Sequence, residues 1–205
     1  MVTDSHTFTL FQKAEAHVRQ LGVFRTGDFV AAGYPREYLL RLVRRGAANR
    51  LGRDLYCAPD FDGDENISLV QAATRVPRGV ICLSSALQFH GIGTQAPHQV
   101  WLAIPRGSNA PRVKGLPIHF CKFSRAAHEF GVQMHKLSGG SVHVFSPAKT
   151  VADCFKYRGK FGLDVSVEAL REGWRSKKFT LDELLAAAEV CRVRRVIQPY
   201  LEMLT

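Results

Sequence analysis

Long apolar stretches are missing from this chain. The longest uninterrupted apolar runs are five residues, Val100 to Ile104 and Leu184 to Ala188, against the roughly 20 that cross a bilayer as a helix. No membrane partner is expected. Residues Met1 to Thr9 have no basic flank followed by an apolar core, so they do not read as a signal peptide and a cytoplasmic location is expected. The cysteines Cys57, Cys82, Cys121, Cys154 and Cys191 include no C-x-x-C pair, which removes the spacing used by zinc and dithiol redox sites and leaves buried thiols as the expectation. The eight histidines form no H-x-x-x-H or H-E-x-x-H. Neither a metal nor a cofactor is expected.

Catalytic signatures are equally scarce. There is no G-x-S-x-G and no Walker loop. Gly91-Ile92-Gly93-Thr94-Gln95-Ala96 matches G-x-G-x-x-A, but it follows a predicted helix and runs into Pro97, whereas dinucleotide binding needs a strand before it and a helix after it. It reads as a turn. Lys149 and Asp153, four apart on a predicted helix, read as an exposed ion pair. No catalytic residue is assigned.

Acidic residues are absent from Asn66 to His128, a run of 63 residues that nevertheless carries Arg75, Arg78, Arg106, Arg112, Lys114, Lys122 and Arg125. Buried strands explain missing acids but not seven cations. Over the whole chain 28 Lys and Arg stand against 18 Asp and Glu, a net charge of +10, and such a balance favours an acidic partner such as nucleic acid. Arg36, Arg41, Arg44, Arg45, Arg50 and Arg53 fall in one 18-residue window with a single acid, Glu37. Half of the net charge sits there.

At 205 residues and 46% hydrophobic composition, the chain is a globular protein of one large or two small domains. Apolar spacing at Leu10, Phe11, Ala14, Val18 and Leu21 predicts a first helix capped by Thr7 or Thr9 and stopped by Gly22. A second, short helix follows from Thr26 to Gly33, and a third starts at Pro35 and runs to about Arg45 before Gly46. Ala48 to Tyr56 reads as a small hairpin turning at Gly52. Three helices and a hairpin in this order make a winged helix-turn-helix. The acidic, polar segment Asp60 to Asn66 is the expected linker, giving a DNA-binding domain over 1–60 and a second domain over 61–205.

In the second domain Ser85 to Gln88 has capping-box spacing for a helix ending at His90. Strands are predicted at Val80 to Leu83, Val100 to Ile104, Ile118 to Phe123, Met134 to Leu137 and Val142 to Phe145. Ser146-Pro147 caps the next helix, Thr180 and Glu183 box another, and a last one covers Arg194 to Leu204 around Pro199. The expected fold class is α+β, with a mixed or antiparallel sheet and a C-terminal helical tail.

On the third helix Leu39, Leu42 and Val43 share one face, and Glu37, Arg41, Arg44 and Arg45 lie opposite. In a winged helix the early residues Arg36, Glu37, Tyr38 and Arg41 face base edges, Arg44 and Arg45 reach phosphate, and Arg50 and Arg53 in the wing meet the adjacent backbone or minor groove. A second basic surface is expected at Arg106, Arg112, Lys114, Lys122 and Arg125, which fall at strand ends and in the loop from Gly107 to Pro117.

Several runs together resemble a known family: Gly33-Tyr34-Pro35-Arg36 through Arg44-Arg45-Gly46, Arg50 to Tyr56, Ile81 to Leu87 with His90-Gly91, Val144-Phe145-Ser146-Pro147 leading into Lys149 to Asp153, and Gly162-Leu163-Asp164 with Glu168-Ala169-Leu170. Their order and spacing are similar to the AbiEi antitoxins of type IV toxin-antitoxin systems. The resemblance implies a transcriptional repressor that autoregulates its operon and counteracts a nucleotidyltransferase-like toxin in phage defence by abortive infection. It carries no catalytic residue onto this chain. Duplex DNA with operator repeats is the expected partner, bound by a dimer. Two other readings stay open, a stand-alone regulator whose second domain senses a ligand, and a nucleic-acid-processing enzyme delivered to DNA by the winged helix. The enzyme would need a clustered polar cleft between residues 66 and 205.

Overall fold

The computed structural model describes residues 9–52, 54–61 and 66–203. They fall into two compact units, one made of residues up to 71 with 136–140, the other of 72–135 with 141–205. In the first unit α1 (Leu10–Leu21) opens on a capping box: Gln12 N donates to Thr9 Oγ1 at 3.3 Å and Thr9 N donates to Gln12 Oε1 at 2.8 Å. Then come β1 (Val23–Arg25), α2 (Thr26–Ala31), α3 (Glu37–Arg44), β2 (Asn49–Gly52) and β3 (Leu55–Cys57). The strands form an antiparallel sheet in the order β1-β3-β2.

Phe11, Ala14 and Val18 of α1, Phe24 of β1, Phe29 of α2, Leu39 and Leu42 of α3, and Tyr56 of β3 form one buried cluster. Its aromatic rings run in contact from Tyr56 through Phe24 and Phe29 to Tyr34, at centroid distances of 5.9, 6.0 and 5.2 Å. Such pairs add about 0.5–1.5 kcal/mol each beyond the burial of their area. Two start signals differ from the expectation. Thr26 is the first residue of α2 rather than its cap, and Asp28 closes that end by accepting from Arg25 N at 2.8 Å. Pro35 stands ahead of the α3 cap, Arg36, instead of in the first turn.

The chain leaves the first unit within α4 (Ile67–Arg75). Beyond it lie β4 (Val80–Ile81), α5 (Leu83–His90), β5 (Val100–Pro105), β6 (Ile118–Phe123), α6 (Arg125–Glu129), β7 (Val132–Leu137) and β8 (Gly140–Phe145). Five helices follow: α7 (Pro147–Lys156), α8 (Arg158–Phe161), α9 (Leu163–Arg175), α10 (Leu181–Cys191) and α11 (Arg194–Leu201). The sheet order is β6-β5-β4-β8-β7, with β5/β6 and β4/β8 parallel and β4/β5 antiparallel. The chain is therefore α+β, with a mixed sheet and a helical tail, as its sequence leads one to expect. The tail's last predicted residue, Leu204, lies outside the described residues.

Helix α7 is the centre of the second unit. Every residue from Ala148 to Phe155 is buried, and the helix packs against α5, α9 and α10. Ser146 caps it, accepting from Lys149 N at 3.3 Å, with Pro147 at its start. Burial on all sides forces its polar residues to pair internally. Thr150 Oγ1 donates to Phe145 O at 3.2 Å, and Lys149 Nζ lies 2.5 Å from Asp153 Oδ2 with the two side chains 0% and 1% exposed. The ion pair expected on a solvated face is thus internal, because i,i+4 spacing puts two residues on one helix face without saying which way that face points. Ser85 is not a cap either. Helix α5 begins at Leu83, and the buried Ser85 Oγ accepts from Trp101 N of β5 at 3.0 Å.

Candidate nucleic-acid interface

Helix α3 is positioned by its apolar side. Leu39 and Leu42 are 1% and 0% exposed, and burying a leucine contributes about 1.5–3 kcal/mol, so the helix cannot roll without losing both. Glu37, Arg41, Arg44 and Arg45 are all exposed. At the C-terminal end Gly46 takes φ +69°, and Ala47 N donates to Leu42 O at 2.9 Å, turning the chain into β2. Arginines near a helix C-terminus are favoured by its dipole, but that dipole amounts to about half a charge. Three arginines in five residues exceed it.

The eight predicted interface residues divide into groups. Arg36 caps α3 and is exposed. Tyr38 is half-buried, its ring edge-on to Phe11 at a centroid distance of 5.2 Å. The Arg41 guanidinium lies over the Phe11 ring at 4.5 Å and over Tyr38 at 5.4 Å, and Arg45 approaches the same Phe11 ring at 5.4 Å. Cation–π contacts of this kind are worth about 0.5–1 kcal/mol at exposed sites. Their effect is to hold two long side chains in place. Arg50 of β2 is exposed and donates through Nε to Gly52 O at 3.1 Å. Arg53 lies outside the described residues. Asp54, just after it, takes φ +62° in the hairpin turn.

Two residues beside these arginines escape the sequence reading. Phe11 looks like one more apolar residue of α1, and nothing in its spacing announces two arginines stacked on it. Leu40 is 58% exposed between the arginines. An apolar residue on an otherwise charged helix face is a signal that sequence reasoning could have taken up.

The second predicted basic set is separated by the second unit. Arg125 Nε lies 2.9 Å from Glu129 Oε1, so its charge is locally matched. Arg112 and Lys114 are exposed in the 107–117 loop, which Arg75 tethers by donating from Nη1 to Lys114 O at 2.6 Å. Arg106 and Lys122 line a cleft of about 290 Å³ together with Lys156, Tyr157, Cys191 and Arg192. Asp153 is at that cleft too, its carboxyl raised by burial against the opposing pull of Lys149. Burial also raises Tyr157 and the Cys191 thiol.

Residues 12–59 match the AbiEi antitoxin transcriptional regulator family. The match covers 48 of the 205 residues, from the first turn of α1 to just past β3, and it holds every cation of the α3 and β2–β3 set. The AbiEi resemblance read from the sequence is thereby supported over this segment. The crystal structure of the RV2827C protein from Mycobacterium tuberculosis is similar in fold, with a TM-score of 0.57 over 97% of this chain and 83% of that one at 12% identity. The comparison with curated proteins gives no match. Among the described residues no helix is long and apolar enough to cross a membrane, and no group of three or more His, Cys, Asp or Glu is placed to hold a metal ion.

Proposed function

We propose that the protein is a DNA-binding transcriptional regulator of the antitoxin type. Its first unit acts as a winged helix-turn-helix, with α3 in the major groove and the β2–β3 hairpin on the flanking backbone. The observation that carries this reading is the cationic face of α3, fixed by Leu39 and Leu42 beneath it, inside the segment that matches the regulator family. Arg41, held over Phe11, addresses a base edge, where a bidentate arginine contact discriminates by about 1–3 kcal/mol. Arg44 and Arg45 contact phosphate, as do Arg50 and Arg53 of the wing.

One winged helix spans few base pairs, so useful specificity comes from two copies on repeated half-sites. In the full form of the proposal the protein represses its own operon and counteracts a nucleotidyltransferase-like toxin without turnover chemistry of its own. A mobility-shift titration on the upstream region tests the core of it. Arg41→Ala should bind its preferred site about 1–3 kcal/mol more weakly and lose discrimination, while Arg53→Ala should weaken all sequences alike. Footprinting should show two protected segments. Binding by both variants equal to the parent's, or one short footprint at saturation, would sink this assignment.

A further inference from the structure

The cleft in the second unit has a chemistry that duplex recognition does not use. We infer that Arg106, Lys122, Lys156 and Arg192 form a receptor for the adjacent phosphates of a small ligand, a free oligophosphate or the phosphate chain of a nucleoside di- or triphosphate. The four cations come from four places in the chain: just after β5, within β6, the end of α7 and the C-cap of α10. All four are exposed, and none is in an ion pair with a described residue. Two other exposed arginines of the same unit have acidic partners, Arg125 with Glu129 and Arg194 with Glu189 at 2.8 Å, whereas the four cleft cations share one concavity without such a partner among the described residues.

The acid that lines it does not neutralise it. Asp153 is held by Lys149 Nζ through Oδ2 and accepts from Cys191 Sγ through Oδ1 at 3.2 Å. The ends of α7 and α10 bring about half a negative charge each, which leaves a local charge near +3. Like charges crowded into a concavity repel one another unless an anion sits among them, and arginine and lysine are the side chains that recognise phosphate.

Backbone geometry adds an independent observation. Arg192 occupies the left-handed region, φ +57° and ψ +43°, at a helix end where glycine is usual. A residue other than glycine there is strained, and the side chain kept at that strained position is one of the four cations. Size narrows the ligand. A cleft of about 290 Å³ is at the small end of ligand sites, which run from roughly 300 Å³, and a duplex lies across such an opening without entering it. Adjacent phosphates fit, with several charges in little volume. Tyr157, which donates its hydroxyl to Lys122 O at 2.9 Å and packs against Phe123 at 5.3 Å between centroids, pins the β6 wall. Burial raises the Cys191 thiol, which donates to Asp153 Oδ1 at the floor of the cleft.

Calorimetric titration of the full chain with inorganic pyrophosphate, and separately with ATP, at about 0.15 M ionic strength tests the inference. Saturable one-site binding of pyrophosphate is expected. Lys122→Ala and Arg192→Gly should each weaken it about tenfold or more, and Arg192→Gly should keep or raise the thermal midpoint because glycine relieves the left-handed residue. The double variant Arg112→Ala/Lys114→Ala in the loop should bind as the parent does. Tighter binding of ATP identifies a nucleotide as the source of the phosphates, and equal or weaker binding identifies a free oligophosphate. The inference is overturned by absence of saturable pyrophosphate binding, by cleft variants that bind like the parent, by loop variants that lose as much, or by a short duplex that displaces pyrophosphate.

Discussion

The Arg41 guanidinium rests 4.5 Å from the centre of the Phe11 ring. Helix α1 thereby fixes a side chain of α3 that the proposed interface aims at a base. A flexible arginine loses rotamer freedom on binding, and immobilising such a side chain costs about 0.5–1.5 kcal/mol. Phe11→Leu removes the stacking surface but keeps apolar volume. It should weaken binding to the preferred duplex several-fold while non-specific binding changes little. Titration of both duplexes, with urea denaturation to establish that the variant is folded, checks this; equal losses on both duplexes would show that Phe11 acts only through stability.

Leu40 makes no buried contact that α3 needs, being 58% exposed. Leu40→Ala should therefore leave the thermal midpoint within about 1 °C, since alanine is at least as good a helix former. Affinity for duplex should nonetheless fall by up to about 1 kcal/mol, most of all where a thymine methyl faces the helix. Arg50→Ala should behave differently, lowering the slope of log K against log salt by about 1 on every sequence. A salt series on two unrelated duplexes separates the two behaviours.

The pair between Lys149 and Asp153 makes opposite predictions for one change and for two. Lys149→Met leaves a carboxylate buried without its partner and should destabilise the second unit by about 3–5 kcal/mol. Combining it with Asp153→Leu removes both charges, and that double variant should recover most of the loss or exceed the parent. Chemical denaturation of the three proteins decides the matter. A double variant no better than Lys149→Met would show that the pair organises the helix beyond its charge.

Burial lowers both His90 and His128 from the ordinary histidine value. In His90 it prevails over the hydrogen bond to Phe145 O at 2.7 Å, and in His128 over a backbone bond to Ala103. The native state then holds fewer protons than the unfolded one in mild acid. Stability is complete above the unfolded value, about 6.5, and declines as pH falls from there toward the lowered native values. The thermal midpoint should drop between about pH 7 and pH 5, and His90→Gln should flatten the decline. An unchanged slope in that variant would place the acid sensitivity elsewhere.

What was legible from the residues alone is what depends on near neighbours in the chain. The Thr9 and Thr180 caps, the Ser146-Pro147 start and the Gly91 stop each need only three or four residues to define them, and the structure has them all. Helices α6 and α8, of five and four residues, are too short to display a period and were not expected. The role of Ser85 is hidden from local spacing because its partner, Trp101 N, is sixteen residues away. The stacking of Arg41 on Phe11 joins two helices thirty residues apart. The cleft is the extreme case: residues 106, 122, 156 and 192 share no motif, and only the sheet and the packed α7 and α10 bring them together. The run free of acids hinted at it by naming Arg106 and Lys122, but it also named Arg125, which has its own carboxylate.

All five cysteines are buried and unpaired, and they are distributed unequally: Cys57 is in the first unit, and Cys82, Cys121, Cys154 and Cys191 are in the second. Each unit therefore carries its own chemical clock. A thiol reagent added to the native protein modifies an enclosed sulfur only when the structure around it opens, so the rate at which mass is gained at Cys57 measures opening of the first unit and the rates at Cys82, Cys121 and Cys154, away from the cleft that Cys191 lines, measure the second. With one label and one mass spectrometer, the protein reports separately how often its two halves come undone.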